Sequence, residues 1–542
     1  MKKYKPETFG VMLDLSRNAV MSIDSFKKYL EYLKKMGYNC VYFYNEDAYE
    51  VDGEPYFGYL RGRYTKAEMK ELDEYAYSLG IEIIPCIQTL AHLESYLRWE
   101  DRIKDVTNVL MIDEPRTYEF IDNLIRTVSE CFRTRRIHIG MDEAWMLGRG
   151  NHQKKYGIED EISLMKRHLE KVNDIVKKYG CRSIIWSDMF IRPWNGGAYT
   201  KIVDGNGVLE VPKNVIDSVP DGVELVYWDY YSEVKQHYYD QFATHAQFGK
   251  ELWFAGGVWA WRSFVPNNHY SIQTMCPAID ACREFGIKHV VMTIWGDNGC
   301  ECSRYATLPA LHYIAEYMRG NTDEAKIKAK FKRIFGADYD AFMLLDELDV
   351  INLSYNRNER ASRKVLFQDV FSGFLDTAVK EGHGEVFASL AEKYREYAKK
   401  YRKWAYLFDN TAKMADVFAI KYELGVKTRR AYKAGDKAEL LRLANEDYAL
   451  LSKRLTAFLK SFRRQWYLEN KTYGFDVQEM RVASVKVRID SCRERLLDYA
   501  KGKISVIEEL GDELIPIGVD SVFYKKSDYD FLATTSTLWG HQ

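Results

Sequence analysis

This sequence of 542 residues has almost no net charge and no long apolar run. Its 78 basic and 79 acidic residues leave a net charge of −1, which gives no support to nucleic acid or an anionic membrane as a partner. No apolar run reaches the ~18 residues that a membrane-spanning helix needs. The charged residues after Met1 are not followed by the apolar run of a secretory signal. A neutral substrate fits this composition better than a charged one.

Cysteine is also sparse, and its spacing shows no disulfide or metal-binding pattern. Among the nine cysteines, only Cys300 and Cys302 lie close together, and no second cysteine pair or histidine pair at ligand spacing accompanies them. We favour two ordinary thiols over a metal site at this pair. Cys40, Cys86 and Cys131 lie near apolar stretches, as reduced core thiols do. We therefore expect a cytoplasmic protein, since thiols stay reduced there.

Proline divides the chain into two compositions. Ten of the eleven prolines lie at or before Pro309, and the next is Pro516. Between them, apolar residues from Leu440 to Trp466 recur mostly three or four positions apart, which is the spacing of one helix face. The stretch from Ala483 to Tyr499 is similar. We predict an α-helical C-terminal domain over residues 320–542, without the regular heptads of a coiled coil.

Before that domain, short apolar runs alternate with amphipathic helical stretches such as Ile23 to Met36. The predicted strands are Phe9 to Leu15, Cys40 to Tyr44, Ile81 to Ile87, Ile137 to Met141, Ser183 to Trp186, Leu225 to Trp228, Leu252 to Trp259 and Val290 to Trp295. Eight strands alternating with helices are typical of an α/β protein with a (β/α)₈ TIM barrel, which we assign to residues 1–319. An open, doubly wound sheet is the alternative, but no Gly-x-Gly-x-x-Gly or Walker loop follows any strand.

The most informative stretch runs from Arg136 to Trp145. Its first half alternates isoleucine with other residues like a strand, and it continues into the adjacent carboxylates Asp142 and Glu143. Catalytic side chains of a parallel barrel project from the ends of its strands. A carboxylate pair there can divide its roles, one staying ionised and the other protonated as an acid. A loop that carries two acids without a function is the simpler alternative.

The other predicted strand ends carry aromatic and polar side chains in the same way. They are Asp14, Arg17, Asn45, Glu46, Asp47, Gln88, His92, Trp186, Asp188, Tyr227, Trp228, Asp229, Trp259, Trp261, Trp295, Asp297 and Asn298. Indole and phenol rings suit the C–H face of a sugar, while carboxylates and Arg bind hydroxyls. Acids beside aromatic walls favour glycoside hydrolysis. No His-Glu-x-x-His or Gly-x-Ser-x-Gly motif supports other hydrolytic chemistry.

The residues His138-Ile139-Gly140-Met141-Asp142-Glu143 resemble the His-x-Gly-x-Asp-Glu motif of glycoside hydrolase family 20, the β-N-acetylhexosaminidases. Further segments resemble the family in the same order: Phe9 to Arg17, Leu79 to Pro85 with His92, Ile185 to Met189, Tyr227 to Asp229 and Trp295 to Asp297. The last segment has Asp where the family has Glu. We expect a subgroup that lacks the family's N-terminal α+β domain and has a helical C-terminal region.

The resemblance implies substrate-assisted catalysis, in which the 2-acetamido oxygen of the sugar attacks its own anomeric carbon and forms an oxazolinium ion. It implies that Glu143 acts as general acid and then base, and that Asp142 holds the acetamido N–H. It implies that Tyr227 hydrogen-bonds the acetamido oxygen. The substrate-binding residues implied or predicted are Arg17, Asp47, His92, Trp145, Trp186, Asp229, Trp259, Trp295 and Asp297, with Asp47 and His92 as a supporting pair near the acid.

The sequence therefore predicts an exo-acting, retaining β-N-acetylhexosaminidase that removes terminal β-linked N-acetylglucosamine or N-acetylgalactosamine. We expect a carbohydrate substrate and no metal or organic cofactor, and the sequence leaves a homodimer open. Two alternatives stay open at this point. One is an enzyme of the same family that releases a disaccharide, and the other is a catalytically inactive sugar-binding protein on the same barrel.

Overall fold

A computed structural model describes residues 4–200, 207–297, 299–349 and 361–515. Asn298, predicted at the end of the last barrel strand, lies outside the described residues, as do parts of the predicted C-terminal domain. Ten strands are found in the described ranges. They are β1 Thr8–Asp14, β2 Cys40–Asn45, β3 Glu82–Ile87, β4 Lys104–Val106, β5 Val109–Leu110, β6 Arg136–His138, β7 Arg182–Trp186, β8 Glu224–Trp228, β9 Leu252–Gly257 and β10 His289–Ile294.

Eight of these strands close into a parallel barrel. Their order around it is β1-β10-β9-β8-β7-β6-β3-β2, and β1 pairs with both β10 and β2. Strands β4 and β5 form a separate antiparallel pair. The closed barrel confirms the predicted (β/α)₈ fold and rules out the doubly wound sheet. All seven residues of β1 are buried, as expected for a barrel strand between an inner core and outer helices.

The helices of the described residues fill the connections and most of the C-terminal half. They are α1 Ile23–Met36, α2 Lys66–Ser78, α3 Glu94–Leu97, α4 Pro115–Cys131, α5 Asn151–Tyr156, α6 Glu161–Lys178, α7 Lys213–Ile216, α8 Lys235–Ala246, α9 Asn268–Phe285, α10 Leu308–Met318, α11 Glu324–Phe335, α12 Tyr339–Met343, α13 Ala361–Phe367, α14 His383–Lys400, α15 Ala405–Lys433, α16 Lys437–Leu443, α17 Ala449–Glu469, α18 Phe475–Ala500 and α19 Glu508–Gly511. Short 3₁₀ turns include Asp188–Phe190, which follows β7.

Helix α1 shows why the sequence pattern was readable. Its observed bounds are those predicted, because both ends carry strong local signals. The Ser22 side chain accepts a hydrogen bond from the Ser25 N–H at the start. Gly37 ends the helix with φ of 88°, and its N–H donates to the carbonyls of Leu33 and Lys34.

The chain forms two compact units. The first comprises the described parts of Met1–Trp259, Asn268–Gly296 and Leu308–Lys330, and it contains the barrel. The second comprises the described parts of Ala260–Asn267, Asp297–Thr307 and Phe331–Gln542.

The second unit is built mainly from long helices. Helix α15 packs against α14 and α17, and α17 packs against α18. The helical face predicted from Leu440 to Trp466 runs through α16 and α17, which are joined by a π turn at Ala444–Tyr448. Within this unit, the buried carboxylate of Glu301 lies 2.7 Å from Arg363 and 3.4 Å from Arg481. The helical character predicted for the C-terminal region is therefore confirmed in its described part.

Two further expectations concern cysteines and membranes. All nine cysteines are free thiols, and all but Cys276 are buried. Among the residues that the structure describes, no helix combines the length and the apolar character needed to cross a bilayer. The cytoplasmic location and the oligomeric state stay predictions.

Candidate active site

The loop that follows β6 carries the two adjacent carboxylates in an unusual backbone conformation. The strand was predicted to continue to Met141 but ends at His138, because Gly140 and Met141 both have φ of 71°. Glu143 also lies in the left-handed region, with φ of 48°. Residues other than glycine rarely adopt such angles. The few that do are concentrated at functional sites. The loop therefore stores backbone strain where the predicted catalytic residues lie.

Asp142 is buried and held by two side chains from the loop after β3. Its Oδ1 accepts a 2.8 Å hydrogen bond from Nε2 of Gln88, and its Oδ2 lies 3.4 Å from Nε2 of His92. Burial alone would raise the pKa of this carboxyl, but the charge of His92 and the hydrogen bond from Gln88 outweigh it and lower the pKa below its usual range. Burial would likewise lower the pKa of His92, but Asp142 raises it to about 9. Asp142 is therefore ionised at neutral pH.

Glu143 differs from its neighbour in exposure. Its side chain is 38% exposed, against 9% for Asp142, so Glu143 is the more accessible of the two carboxylates. The Glu143 N–H donates a 3.0 Å hydrogen bond to Oδ2 of Asp188, which follows β7. Burial and the negative charges of Asp142 and Glu143 raise the pKa of Asp188 well above its usual range. Asp188 thus fixes the backbone that carries Glu143.

Arg17, from the loop after β1, joins this group on the side of His92. Its Nη2 lies 3.0 Å from Oε1 of Glu46 and 3.4 Å from Nδ1 of His92. Its guanidinium lies over the ring of Trp295, 5.1 Å from the ring centroid. Burial outweighs the neighbouring Arg17 and raises the pKa of Glu46 to about 7.

The predicted supporting pair of Asp47 and His92 is not found among the described residues. Oδ1 of Asp47 lies 3.3 Å from Nη2 of Arg61, and the carboxylate that acts electrostatically on His92 from this loop is Glu46. Glu46 therefore lies closer to the predicted supporting role than Asp47 does, and a contact of Asp47 with the substrate stays a prediction.

Trp186, Trp228 and Trp295 lie at the ends of β7, β8 and β10. The ring centroids of Trp186 and Trp295 are 6.1 Å apart, and both side chains are buried. The indole N–H groups of Trp186, Trp295 and Trp228 are buried without a hydrogen-bond partner among the described residues. A buried donor without a partner is costly, so these groups are available to a polar ligand. Trp145 is 46% exposed, and the guanidinium of Arg192 lies 5.0 Å from its ring centroid.

Tyr227 is not placed as the sequence predicted. Its ring packs against Phe242 and His245 of helix α8, which puts it on the outer side of β8. Its hydroxyl donates a 2.7 Å hydrogen bond to Oδ2 of Asp229. The predicted hydrogen bond from Tyr227 to the substrate stays a prediction. Trp228 is the next residue of the strand, so its side chain projects from the opposite face.

Two more predicted substrate-binding residues have their polar atoms engaged elsewhere. Asp229 is buried, and it accepts hydrogen bonds from Tyr227 and from the N–H of Tyr231, with Nε2 of His237 also 2.7 Å from its Oδ2. The buried Trp259 donates its indole N–H to the Tyr230 carbonyl. The substrate contacts of both residues stay predictions. Asp297 begins a segment of the second unit, and its role also stays a prediction.

One cluster of the described residues has the composition of a metal site. Asp113, His152 and Glu159 each place a ligand atom within 4.8 Å of the others. However, Arg167 lies 2.7 Å from Oδ2 of Asp113 and 2.9 Å from Oε2 of Glu159, and Lys171 lies 2.7 Å from Oδ1 of Asp113. These cations already neutralise both carboxylates, so the structure gives no reason to assign a metal there.

The structure adds roles that the sequence alone did not assign. Gln88, Asp188 and Trp228 were recognised only as polar or aromatic residues at strand ends. Arg192 had no sequence signal at all, since it lies beyond the short turn that follows β7. The arrangement offers an ionised buried carboxylate, an accessible carboxyl beside it and indole donors nearby, which together can transfer a proton and hold a polar substituent.

Comparisons with known proteins show which proteins this chain resembles. Residues 9–203 match the profile of the catalytic domain of glycosyl hydrolase family 20, and residues 340–526 match the profile of the glycoside hydrolase 20C C-terminal domain. Hexosaminidase D of Bos taurus is 24% identical over 217 residues, which is 38% of this chain and 58% of that protein. Hexosaminidase D of Homo sapiens is 24% identical over 240 residues, covering 42% of this chain and 46% of that protein.

Among solved structures, a β-N-acetylhexosaminidase from Bacteroides fragilis is 18% identical, with a TM-score of 0.47 over 62% of this chain and 71% of that chain. The match to hexosaminidase D spans less than two thirds of either relative. The two sequence profiles, however, match the first five strands of the barrel and most of the helical region, and both describe the same family. This chain belongs to glycoside hydrolase family 20.

Proposed function

We propose that the protein is an exo-acting β-N-acetylhexosaminidase that hydrolyses terminal β-linked N-acetylglucosamine or N-acetylgalactosamine with retention of configuration. The observation that carries this proposal is the contrast between two adjacent carboxylates. Asp142 is buried beside His92 and Gln88, while Glu143 is accessible. A buried, ionised carboxylate can stabilise a developing positive charge, and an accessible one can exchange a proton with the leaving group.

In this mechanism the nucleophile belongs to the substrate. The acetamido oxygen attacks the anomeric carbon, the glycosidic C–O bond breaks, and Glu143 gives its proton to the departing oxygen. Asp142 accepts a hydrogen bond from the acetamido N–H and offsets the positive charge of the oxazolinium ion. An intramolecular nucleophile needs only to be oriented, because it is already at a high effective concentration. Glu143 then takes a proton from the water that opens the oxazolinium ring.

The surroundings support specific roles for other side chains. The indole N–H groups of Trp186, Trp228 and Trp295 have no partner in the described structure, and they are suited to acceptor oxygens of the sugar. Arg17 already lies against Trp295, where its planar fork can bind sugar hydroxyls. Asp188 acts through the backbone of Glu143 and keeps the acid in one position.

The test compares chromogenic β-N-acetylglucosaminide, β-N-acetylgalactosaminide and β-glucoside substrates. We expect hydrolysis of at least one N-acetylhexosaminide and almost none of the β-glucoside, which lacks the nucleophilic oxygen. A cyclic thiazoline that mimics the oxazolinium ion should bind much more tightly than the product sugar. Equal hydrolysis of the glucoside, or a covalent sugar ester trapped on any Asp or Glu, would refute the mechanism.

A further inference from the structure

Three exposed aromatic side chains pack together on the loops that follow β2 and β3. Tyr56, Tyr59 and Trp99 are 51%, 46% and 53% exposed. The rings of Tyr56 and Trp99 stack with centroids 5.2 Å apart, and Tyr59 stands nearly perpendicular to both, at 6.0 and 5.7 Å. Scattered exposed apolar residues are common, but a contiguous exposed aromatic group marks a binding surface. We call these three residues the aromatic platform.

The platform rests on a rigid support. The buried ring of Phe57 packs against Tyr96 and Phe120 at centroid distances of 5.3 and 5.7 Å. The Arg63 guanidinium donates a 2.6 Å hydrogen bond to the Phe57 carbonyl. The buried carboxylate of Glu54 accepts a 2.6 Å hydrogen bond from the Tyr96 hydroxyl. A surface that is already ordered loses little conformational entropy when a ligand binds.

The platform also adjoins the candidate active site. Gly58, between Tyr56 and Tyr59, lies so close to Asp47 that a Cβ there would stand 2.2 Å from the Asp47 carbonyl oxygen. Arg61 on the same loop donates to the carbonyl of Ser16, the residue before Arg17. Trp99 follows His92 by seven positions that include helix α3, and such a segment spans at most about 20 Å. Both loops of the platform therefore start at residues of the site.

We propose that the aromatic platform binds sugar residues on the leaving-group side of the scissile bond when the substrate is an oligosaccharide. The inference rests on the proposed function, because an exo-acting site holds only the terminal N-acetylhexosamine. Every further sugar must then lie on the leaving-group side, beyond the site. The exposed rings are uncharged and flat, as the C–H faces of a neutral sugar chain require.

A second copy of this chain is a less suitable occupant. Three half-exposed aromatic rings offer roughly 300 Å² of surface, since one such side chain buries ~150–250 Å² in full. A stable interface buries about 800 Å² on each partner. The platform is therefore small for a subunit interface but large enough for one or two sugar rings.

The experiment compares kcat/KM for β-1,4-linked N-acetylglucosamine oligomers of two and five units. In Trp99→Ala the ratio of the pentamer value to the dimer value should fall by about 10-fold, and Trp99→Phe should restore part of it. Tyr77→Ala serves as the matched control, since Tyr77 is an exposed aromatic residue on helix α2, 67% exposed, with Arg133 over its ring. An unchanged ratio in Trp99→Ala would overturn the proposal.

A binding measurement separates this inference from the proposed function. Calorimetric titration of the pentamer into Glu143→Gln and into Glu143→Gln/Trp99→Ala should give a Kd about 10-fold weaker for the double variant. Equal Kd values would overturn the platform even if the enzyme is active. Absence of hydrolysis of all N-acetylhexosamine substrates would refute the proposed function instead. A change in sedimentation on Trp99→Ala would show a subunit interface and would also overturn the platform.

Discussion

Gly140 provides a sharp test of how Asp142 is held. A Cβ at this position would stand 2.2 Å from Oε1 of Gln88 and 2.7 Å from the Ile87 carbonyl oxygen. Gln88 would have to move, and it is the side chain that donates the 2.8 Å hydrogen bond to Asp142. Gly140→Ala should therefore disturb the position of the Asp142 carboxylate without replacing any side chain that contacts the substrate in the proposed mechanism.

The expected free-energy cost of Gly140→Ala has two parts. An alanine in the left-handed region, here at φ of 71°, costs roughly 1–2 kcal/mol. Loss of a hydrogen bond to a charged group costs about 1.5–3 kcal/mol more. If that bond also supports the transition state, the second part corresponds to a fall in kcat/KM of about 10- to 150-fold.

Gly180→Ala is the matched control. Gly180 has φ of 69°, and a Cβ there would have no atom within 4 Å. This variant should show only the free-energy cost of an alanine in the left-handed region. We expect a small fall in its thermal midpoint and a normal kcat/KM on a chromogenic N-acetylhexosaminide. If Gly140→Ala matched Gly180→Ala in both thermal midpoint and kcat/KM, the reasoning about Gln88 and Asp142 would be wrong.

Four further predictions concern single side chains. Glu143→Gln should lower kcat on substrates with poor leaving groups by at least ~10²-fold, and much less with acidic leaving groups; a uniform effect would argue against general-acid catalysis. Asp188→Ala leaves the Glu143 N–H unpaired and should lower kcat by about 10-fold or more, whereas Asp188→Asn keeps an acceptor and should lose less. Arg17→Lys should lower kcat/KM with an unchanged circular dichroism spectrum, because lysine lacks the planar fork; unaltered kinetics would make Arg17 structural. In the second unit, burial outweighs the hydrogen bonds from Ser303 and Tyr406 and raises the pKa of Glu469 to about 7. A raised pKa contributes stability below the unfolded-state pKa and loses it as pH rises through 7, so Glu469→Gln should gain thermal stability over wild type between pH 5 and 8, by about 3 kcal/mol when fully developed.

Much of the fold was readable because its signals are local. Helix α1 has its capping serine, its apolar spacing and its terminal glycine within one short segment, so its predicted bounds were correct. The alternation of strand and helix likewise limits the connections that a chain can make. The adjacency of Asp142 and Glu143 is a property of the sequence itself, and the alternating isoleucines before them indicate the strand that they follow.

The tertiary structure decided which side chains meet. Gln88, Asp188 and Asp142 come from the ends of three different strands, and no local spacing relates them. The environment of Glu143 also depends on the backbone angles of its loop, which the contacts with those neighbours maintain.

Strand β8 shows most clearly what the sequence determined and what only the tertiary structure decided. The sequence predicted a strand from Leu225 to Trp228, because this is a short apolar run of residues that favour strands, and the observed strand is Glu224–Trp228. It did not determine which face points into the barrel, because both faces of a parallel barrel strand are buried and apolar. Only closure of the barrel put Tyr227 against helix α8 and left the indole N–H of Trp228 without a partner. The sequence specifies the two-residue period of a strand. Which of the strand's two faces points into the barrel depends on the neighbours that tertiary folding brings to it.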